Sequence, residues 1–217
     1  MNQDQGIQNR PASDLAFTPA VKAIQQRFSS RKGYARMEQG QGWSQTVTPD
    51  LAQFIAERDS FYLGTVSSEG QPYIQHRGGK AGFLKVLDET TLGFAEYSGN
   101  KQYISMGNLV ENNRAFIFLM DYAKRRRVKL WGTAEFVEGD AELLKRLQDD
   151  DYHGRVERGF IFHIEVWDQN CPQHITPRFT QSQIDPMIRQ LEERNETLQE
   201  RIQVLEDTIT ALAPAQP

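Results

Sequence analysis

The chain has 217 residues, enough for one domain of ordinary size and an appendage, and its formal net charge of -4 argues against a general nucleic-acid-binding surface. A single cysteine, Cys171, excludes an intramolecular disulfide and a cysteine-rich zinc site, and the spacing of the histidines predicts no metal centre. No apolar run approaches the ~20 residues of a membrane-spanning helix, and the polar N-terminus lacks the apolar core of a signal peptide, so we expect a cytoplasmic protein.

The N-terminal segment, residues 1–48, is predicted to contain a polar tail, one short helix and an irregular stretch that wraps the following domain. The helix covers residues 18–30, and a second helix covers residues 48–58, because each stretch begins with a Thr-Pro pair suited to the cap and first position of a helix. Residues 31–47 are rich in Gly and Gln, which predicts the irregular stretch.

Residues 49–180 are predicted to form a mainly β domain with flanking helices. Hydrophobic alternation and turn signals indicate about six strands at hairpin spacing, which favours a six-stranded antiparallel β-barrel over a parallel α/β sheet. The nearly continuous apolar run RAFIFLMDY, residues 114–122, predicts a strand that is buried on both faces. A helix is predicted over residues 100–112, and another begins after a cap at Asp140.

Residues 184–213 are predicted to form a parallel two-stranded coiled coil, because Leu or Ile occupies every d position and Ile most a positions. The helix is expected to start at Pro186. Asn195 is the polar a residue that would fix register and dimer state, and Arg201 at g can reach Glu206 at e of the partner helix. The predicted contact residues are Ile188, Leu191, Asn195, Leu198, Ile202, Leu205 and Ile209. The alternative, a helix packed on its own barrel, usually shows a wider apolar stripe.

Two polar stretches within the predicted strands suggest a binding site. In PYIQHRGG, residues 72–79, alternation places Arg77 and Gln75 on one face, and the two final glycines allow a flat ligand to approach the backbone. In YSGNKQ, residues 97–102, a hydroxyl, an amide and Lys101 precede a predicted helix whose N-terminus would favour an anion. Either feature alone is commonly structural, since Ser-Gly-Asn is often only a turn.

Ordered blocks of the sequence resemble a known family. The blocks are ERDSFYLGTVSSEGQPYIQHRGG, LGFAEYSGNKQYISMGNL, FIFLMDYAKRRRVKLWGTAEF and VWDQNCPQHITPRF. Residues 50–140 and 159–179 resemble the FMN-binding split-barrel proteins related to pyridoxamine 5'-phosphate oxidase, within them the branch of predicted flavin-nucleotide-binding proteins. The resemblance implies an FMN-dependent oxidoreductase that acts on an unknown small substrate, with hydride or electron transfer at flavin N5. It also implies a homodimer whose barrel interface holds the FMN.

The resemblance also implies roles for individual residues. The cofactor-binding set comprises Gln75, His76, Arg77, Gly78, Tyr97, Ser98, Asn100, Lys101, Gln102, Arg127 and Trp167. Arg77 would contact the phosphate or the ring edge, and the turn from Ser98 to Lys101 would hold the phosphate. Arg127, with Arg126 and Lys129 nearby, would come from the second subunit. Trp167 would lie near the flavin, and His76 would contact it or donate a proton.

Departures from that family limit the expected activity. The stretch DAELLKRLQDDDYHG lacks the Ser/Arg-containing helix that binds substrate phosphate in pyridoxamine phosphate oxidases, which argues against vitamin B6 oxidation. Two alternatives remain open: a flavin-binding or sensing module without turnover that assembles through its zipper, and a barrel that binds haem or a deazaflavin. Cys171 precedes Pro172 without a helix N-terminus to activate it, which favours a structural loop closing the flavin pocket over thiol catalysis.

Overall fold

The structure is a computed structural model that describes residues 10–149, 154–170 and 172–212, without the side chain of Asn170. The chain divides into two compact units. The first contains the chain up to Asp121 together with Arg125–Ile175, and the second contains Tyr122–Lys124 and the chain from Thr176 onward.

The first unit is built on one antiparallel sheet of seven strands, in the order β2-β1-β5-β6-β7-β4-β3. The strands are β1 Ser60–Val66, β2 Pro72–Gly78, β3 Lys85–Val86, β4 Thr91–Tyr97, β5 Arg114–Asp121, β6 Arg126–Val137 and β7 Val156–Asn170. The predicted class, an antiparallel split barrel with flanking helices, is confirmed. The seventh strand is β3, a two-residue edge strand that pairs with β4.

The core shows that this sheet curls on itself. Phe61 of β1 and Phe94 of β4 lie 5.6 Å apart between ring centroids, although three strands separate β1 from β4 in the sheet. Phe160 of β7 lies 4.8 Å from Phe94, and both rings are buried. Burying each aromatic side chain contributes about 1.5–3 kcal/mol, so this cluster holds the two ends of the sheet around a common core.

Strand β5 corrects one prediction, because only one of its faces is fully buried. Ala115, Ile117 and Leu119 are buried, whereas Phe116 and its neighbours on the opposite face are half-buried. The opposite face is covered only in part, by side chains such as Trp131, whose ring lies 5.0 Å from that of Phe116. The apolar run therefore indicates one core face and one partly covered outer face.

From residue 10 onward, four helical elements precede the sheet: a 3₁₀ helix at Ala12–Leu15, α1 Pro19–Arg27, α2 Arg31–Gln39 and α3 Pro49–Ala56. The predicted caps of α1 and α3 are confirmed, since Thr18 Oγ1 accepts from the Val21 N–H at 3.3 Å and Thr48 Oγ1 accepts from the Leu51 N–H at 3.2 Å. The predicted tail up to residue 9 lies outside the described residues.

The irregular stretch predicted for residues 31–47 is wrong over its first half, where α2 forms. Arg31 donates to Gln25 of α1 at 2.9 Å, which fastens α2 to α1, and it pairs with Glu38 near the end of its own helix. The remaining residues are irregular and lie on the sheet, where the Trp43 ring stacks on Trp131 at 5.0 Å. Good helix formers outweigh the single glycine inside α2.

In the described part of the chain between later strands, the helices are α4 Ile104–Glu111 and α5 Ala141–Leu147. Helix α5 begins as predicted, because Asp140 accepts from the Leu143 N–H at 2.9 Å. Helix α4 begins at Ile104, so the first four residues of the predicted helix instead form a turn.

The C-terminal helix, α6 Gln181–Leu212, starts before the predicted position and contains Pro186. Thr180 accounts for the earlier start: its carbonyl accepts from the Gln183 N–H at 3.0 Å, and its own N–H donates to Gln183 Oε1 at 2.9 Å. The helix therefore begins at this capping arrangement and continues through Pro186, which has no backbone N–H to donate. Among the helices that the structure describes, none is long and apolar enough to cross a membrane.

Candidate functional site

Strand β2 carries half of the candidate site. It is an edge strand that pairs only with β1 in the sheet, and it alternates between half-buried and exposed residues. Tyr73, Gln75 and Arg77 occupy the half-buried face, and Ile74 and His76 the exposed face, as predicted. The β2 alternation therefore aims Arg77 and Gln75 in the same direction.

The turn between β4 and α4 carries the other half. Lys101 and Tyr103 both adopt left-handed backbone conformations, with φ of 60° and 54°, and Asn100 Oδ1 accepts from the Gln102 N–H at 3.2 Å. Tyr103 occupies the cap position of α4 without a side-chain hydrogen bond to the helix. The first turn of α4 therefore presents N–H groups that no cap side chain satisfies.

These two halves enclose a cavity of about 300 Å³. Its lining combines β2, the end of β4, the turn and the first turn of α4, and comprises Tyr73, Gln75, Arg77, Glu96, Tyr97, Gly99, Asn100, Lys101, Gln102, Tyr103, Ile104, Ser105, Met106, Glu157 and Arg158. A neighbouring cavity of about 200 Å³ is lined by residues that include His76 and Gly78. Arg77, Glu96 and Tyr97 line both cavities, so the two adjoin.

At this point an ion pair connects two strands from near the opposite ends of the curled sheet. Arg77 of β2 contacts Glu96 of β4 at 3.0 Å, although β2 and β4 lie near opposite ends of the sheet order. The other oxygen of Glu96 accepts from Arg158 of β7 at 2.9 Å. Glu96 is 14% exposed, so it orients two guanidinium groups in a largely dry environment.

Arg158 is the most heavily paired cation of the site. Besides Glu96, it contacts Glu157 at 3.3 Å and Glu138 at 3.1 Å, and its guanidinium lies 5.4 Å from the centroid of the Tyr103 ring. Burial acts to lower the pKa of Arg158, but the hydrogen bond and charge of Glu96, with help from Tyr103 and Glu157, raise it overall. Arg158 therefore stays charged and serves mainly to hold Glu96.

Arg77 has donor capacity to spare. Its Nε is buried and has no hydrogen-bond partner among the described residues, while its guanidinium lies 5.6 Å from the centroid of the Phe94 ring. An unsatisfied buried donor usually costs about 1–3 kcal/mol, so a group of this kind at a cavity wall is suited to an incoming acceptor.

The cavity has a positive balance of charge. Its lining contains three cations, Arg77, Lys101 and Arg158, and two carboxylates, Glu96 and Glu157, which leaves an excess of one positive charge. Lys101 makes no ion pair among the described residues and is exposed. The arrangement therefore favours an anion that can reach both Lys101 and the start of α4.

The structure brings together most of the predicted site residues but not all. Eight of them line one or both cavities: Gln75, His76, Arg77, Gly78, Tyr97, Asn100, Lys101 and Gln102. Ser98 is absent from both linings, and its N–H donates to the Arg155 carbonyl at 3.1 Å.

Arg127 and Trp167 also lie outside the two cavities of a single chain. Arg127 pairs with Met120 near the start of β6. Trp167 Nε1 donates to the Thr46 carbonyl at 2.8 Å. Trp167 is nine residues beyond Arg158 on β7, which corresponds to about 30 Å of extended strand.

One of the two glycines after Arg77 has a packing role that the sequence did not reveal. A side-chain carbon built on Gly79 would come within 2.8 Å of Phe83, and one on Gly78 within 3.1 Å of the His76 ring. The contact with buried Phe83 therefore accounts for Gly79, whereas the exposed His76 ring can shift to admit a side chain at Gly78.

Three residues of the site escaped the sequence prediction: Glu96, Arg158 and Tyr103. Glu96 and Arg158 are register partners on β4 and β7, 62 residues apart in sequence. Such a pair has no local signal, because alternation reports which face a residue occupies and not which residue lies opposite. Tyr103 sits two positions after Lys101, and its backbone conformation is equally invisible in the sequence.

Other candidate centres carry less chemistry. Asp168 pairs with Lys129 at 2.9 Å, and Arg126 with Asp50 at 2.9 Å, so part of the basic cluster in residues 124–129 is neutralised by local carboxylates. Cys171, the candidate nucleophile, lies outside the described residues. Within the described ranges, no group of three or more His, Cys, Asp or Glu could hold a metal ion.

Comparison with solved structures gives distant similarities. HupZ from Group A Streptococcus is 20% identical at a TM-score of 0.48, over 61% of this chain and 99% of that chain. A putative pyridoxamine 5'-phosphate oxidase from Lactobacillus delbrueckii is 21% identical at a TM-score of 0.46, over 58% of this chain and 95% of that chain. An FMN-binding protein from Syntrophomonas wolfei is 16% identical at a TM-score of 0.43, over 67% of this chain and 97% of that chain. No curated protein matches the sequence.

A family match covers the part of the chain that builds the site. Residues 47–166 match the pyridoxamine 5'-phosphate oxidase family, and this segment runs from just before α3 into β7 and includes β2, β4 and the start of α4. Because the match spans more than half of the 217 residues, the chain belongs to the pyridoxamine 5'-phosphate oxidase family.

Proposed function

We propose that the two adjoining cavities bind FMN and that the protein is a flavin-dependent oxidoreductase acting on a small molecule. The observation that carries the proposal is a single cavity lined by Arg77, Lys101 and the uncapped first turn of α4. Guanidinium, ammonium and helix N–H groups are the donors that proteins use for a phosphate monoester. Family membership of residues 47–166 supports a flavin as the molecule that carries this phosphate.

The residues present fit a phosphate at this position. The unsatisfied Nε of Arg77 would gain an acceptor, and Lys101 would gain the counter-charge that it lacks among the described residues. Two left-handed residues in the turn, Lys101 and Tyr103, hold the backbone in a conformation that usually costs energy outside glycine. A ligand that uses the N–H groups of the turn would offset that cost.

The protein's contribution is to bind and orient. Glu96 would fix the guanidinium of Arg77 through the 3.0 Å contact and is itself held by Arg158. The Ser105 hydroxyl donates to Gln75 Oε1 at 2.9 Å, which leaves the amide nitrogen of this cavity-lining residue available as a donor. A bound flavin would supply hydride or electron transfer, so no side chain of the site has to carry that chemistry.

The proposal includes a homodimer with FMN held between the barrels. By its resemblance to the family, Arg127 of this chain would reach the cofactor of the second subunit. Arg127 and Trp167 do not line the cavities of their own chain. This position is consistent with a role in the site of the other subunit. A flavin site completed by a second chain would also explain why the cavities are open and modest in size.

The first test is an absorption spectrum of the purified protein followed by titration with FMN. Flavin bands in the purified protein, or saturable uptake of added FMN, are the expected results. Colourless protein that takes up no FMN contradicts the proposal, and a Soret band or a deazaflavin band assigns the cavity to another cofactor. Oxidation of NADH or NADPH with an added electron acceptor then separates an oxidoreductase from a flavin-binding module without turnover.

Substitution of Arg77 tests the phosphate site itself. Charge-assisted hydrogen bonds contribute about 1.5–3 kcal/mol, so Arg77→Met should weaken FMN binding about 10–100-fold, measured by fluorescence titration. Arg114→Met is the matched control, because Arg114 is 55% exposed, pairs with Glu165 and lines neither cavity. If Arg77→Met binds FMN as tightly as the wild-type protein does and its circular dichroism is unchanged, Arg77 does not hold the phosphate and FMN binds elsewhere.

A further inference from the structure

We propose that α6 pairs in parallel and in register with α6 of a second copy of the chain. The helix has 32 residues and none of its described side chains is buried. Its zipper face consists of the a and d residues Ile188, Leu191, Asn195, Leu198, Ile202, Leu205, Ile209 and Leu212. The apolar members of this face are 42–77% exposed. A row of exposed Leu and Ile with a strict seven-residue repeat is the surface that a partner helix covers.

The charges beside the zipper face select a parallel partner. In a parallel pair each g residue approaches the e residue five positions later in the partner, so Arg201 meets Glu206 and Arg194 meets Gln199. In an antiparallel pair g approaches g and e approaches e. The antiparallel alignment of the face would bring Arg194 beside Arg201 and Glu192 beside Glu206. Like charges oppose that alignment.

Asn195 supports the same orientation. In a parallel, in-register pair the a residues face each other, so Asn195 meets Asn195 of the partner and each amide can bond the other. In the antiparallel alignment that uses the whole face from Ile188 to Leu212, Asn195 would face Leu205 and its amide would be unpaired. A second copy is therefore the partner whose chemistry satisfies this residue.

A disulfide-trapping experiment on the full chain tests the pairing. Cys171→Ser removes the native thiol, and Leu205→Cys then places one thiol at a d position of the zipper face. A parallel pair in register brings the two Cys residues together, so mild oxidation should convert most of the protein to a covalent dimer on a non-reducing gel. Val204→Cys in the same background is the matched control, because Val204 is similarly exposed, 64% against 60%, but lies at an outward c position.

Two results would overturn the proposal. Equal, low dimer yields for Leu205→Cys and Val204→Cys would mean that the zipper face is not paired, whether the chain is monomeric or dimerises elsewhere. Efficient cross-linking of Asn195→Cys chains to Leu205→Cys chains, with little cross-linking of either alone, would show an antiparallel pair. The readout depends on helix pairing and not on flavin, so its outcome is separate from that of the FMN titration.

Discussion

The barrel and the C-terminal helix handle apolar surface in opposite ways. In the barrel, the large apolar residues of seven strands face one another, and side chains such as Phe160, Phe162 and Leu130 are fully buried within one chain. In α6, the zipper face forms one narrow line along a single helix, and all its apolar members are exposed. A sheet that curls can cover its own apolar face, whereas a lone helix cannot, so the apolar face of the helix stays exposed on a single chain.

The largest expected effect tests the barrel side of this contrast. Phe160→Ala should lower the free energy of unfolding by about 3–5 kcal/mol, because it leaves a cavity among Phe94 and Phe136 at the centre of the core. Urea unfolding monitored by fluorescence measures the change. Phe28→Ala is the matched control, since Phe28 is 69% exposed and its loss should cost less than about 1 kcal/mol. Similar losses for both variants would contradict the assignment of the core.

A second, smaller effect concerns the polar bridge across the split. Glu96→Gln should lower the free energy of unfolding by about 1–3 kcal/mol, because it leaves Arg77 and Arg158 close together with less neutralisation. Urea unfolding at low salt measures it. Glu135→Gln, whose side chain is 63% exposed, should change stability by less than about 0.5 kcal/mol. If the two variants are equally stable, Glu96 does not hold the ends of the sheet.

For α6 we expect a substitution that raises stability instead of lowering it. Asn195→Leu should raise the thermal stability of the assembled helix and loosen its preference for dimers, because an apolar a residue packs better but no longer specifies a two-stranded pair. Circular dichroism during heating and sedimentation velocity measure the two changes. Gln190→Leu, at an outward c position, should alter neither. Lower thermal stability in Asn195→Leu would mean that residue 195 is not inside a helix pair.

The smallest predicted effect concerns a turn at the barrel surface. The Thr90 N–H donates to Asp88 Oδ1 at 2.8 Å, and this backbone hydrogen bond lowers the pKa of Asp88 below its usual value. A lowered folded pKa means that the charged form stabilises the fold above about pH 4, and that this stabilisation is lost as the pH falls through the lowered pKa. Asp88→Asn should therefore be slightly less stable than the wild type at pH 7 and equally stable in strong acid.

Urea unfolding at a series of pH values checks the Asp88 prediction. Glu69→Gln, in the exposed turn of the other hairpin, serves as the control for removing one surface carboxylate. A stability difference for Asp88→Asn that stays constant from pH 7 into strong acid would assign the effect to something other than ionisation.

Local signals in the sequence were sufficient for several elements. Thr18 and Thr48 cap the helices that they were predicted to cap, because a capping hydrogen bond spans only three residues. Alternation also predicts correctly that Arg77 and Gln75 share one face of β2, because it depends on residues only two positions apart. Helix α6 starts before the position that Pro186 predicts, because Thr180 and Gln183 form a capping pair ahead of it, which is also a local signal.

The antiparallel strands, the helix caps and the heptad of α6 could be predicted from the sequence, because each depends on residues close together in the chain. The grouping of Arg77 with the turn around Lys101 has no such local signal and is expected from the chemistry of the two stretches and the family resemblance. That Glu96 joins Arg77 to Arg158, and that the cavity lies where the ends of the sheet meet, is visible only in the folded chain. These features depend on strand register and on the curl of the sheet. Register and curl are set by packing between distant segments, which no local pattern encodes.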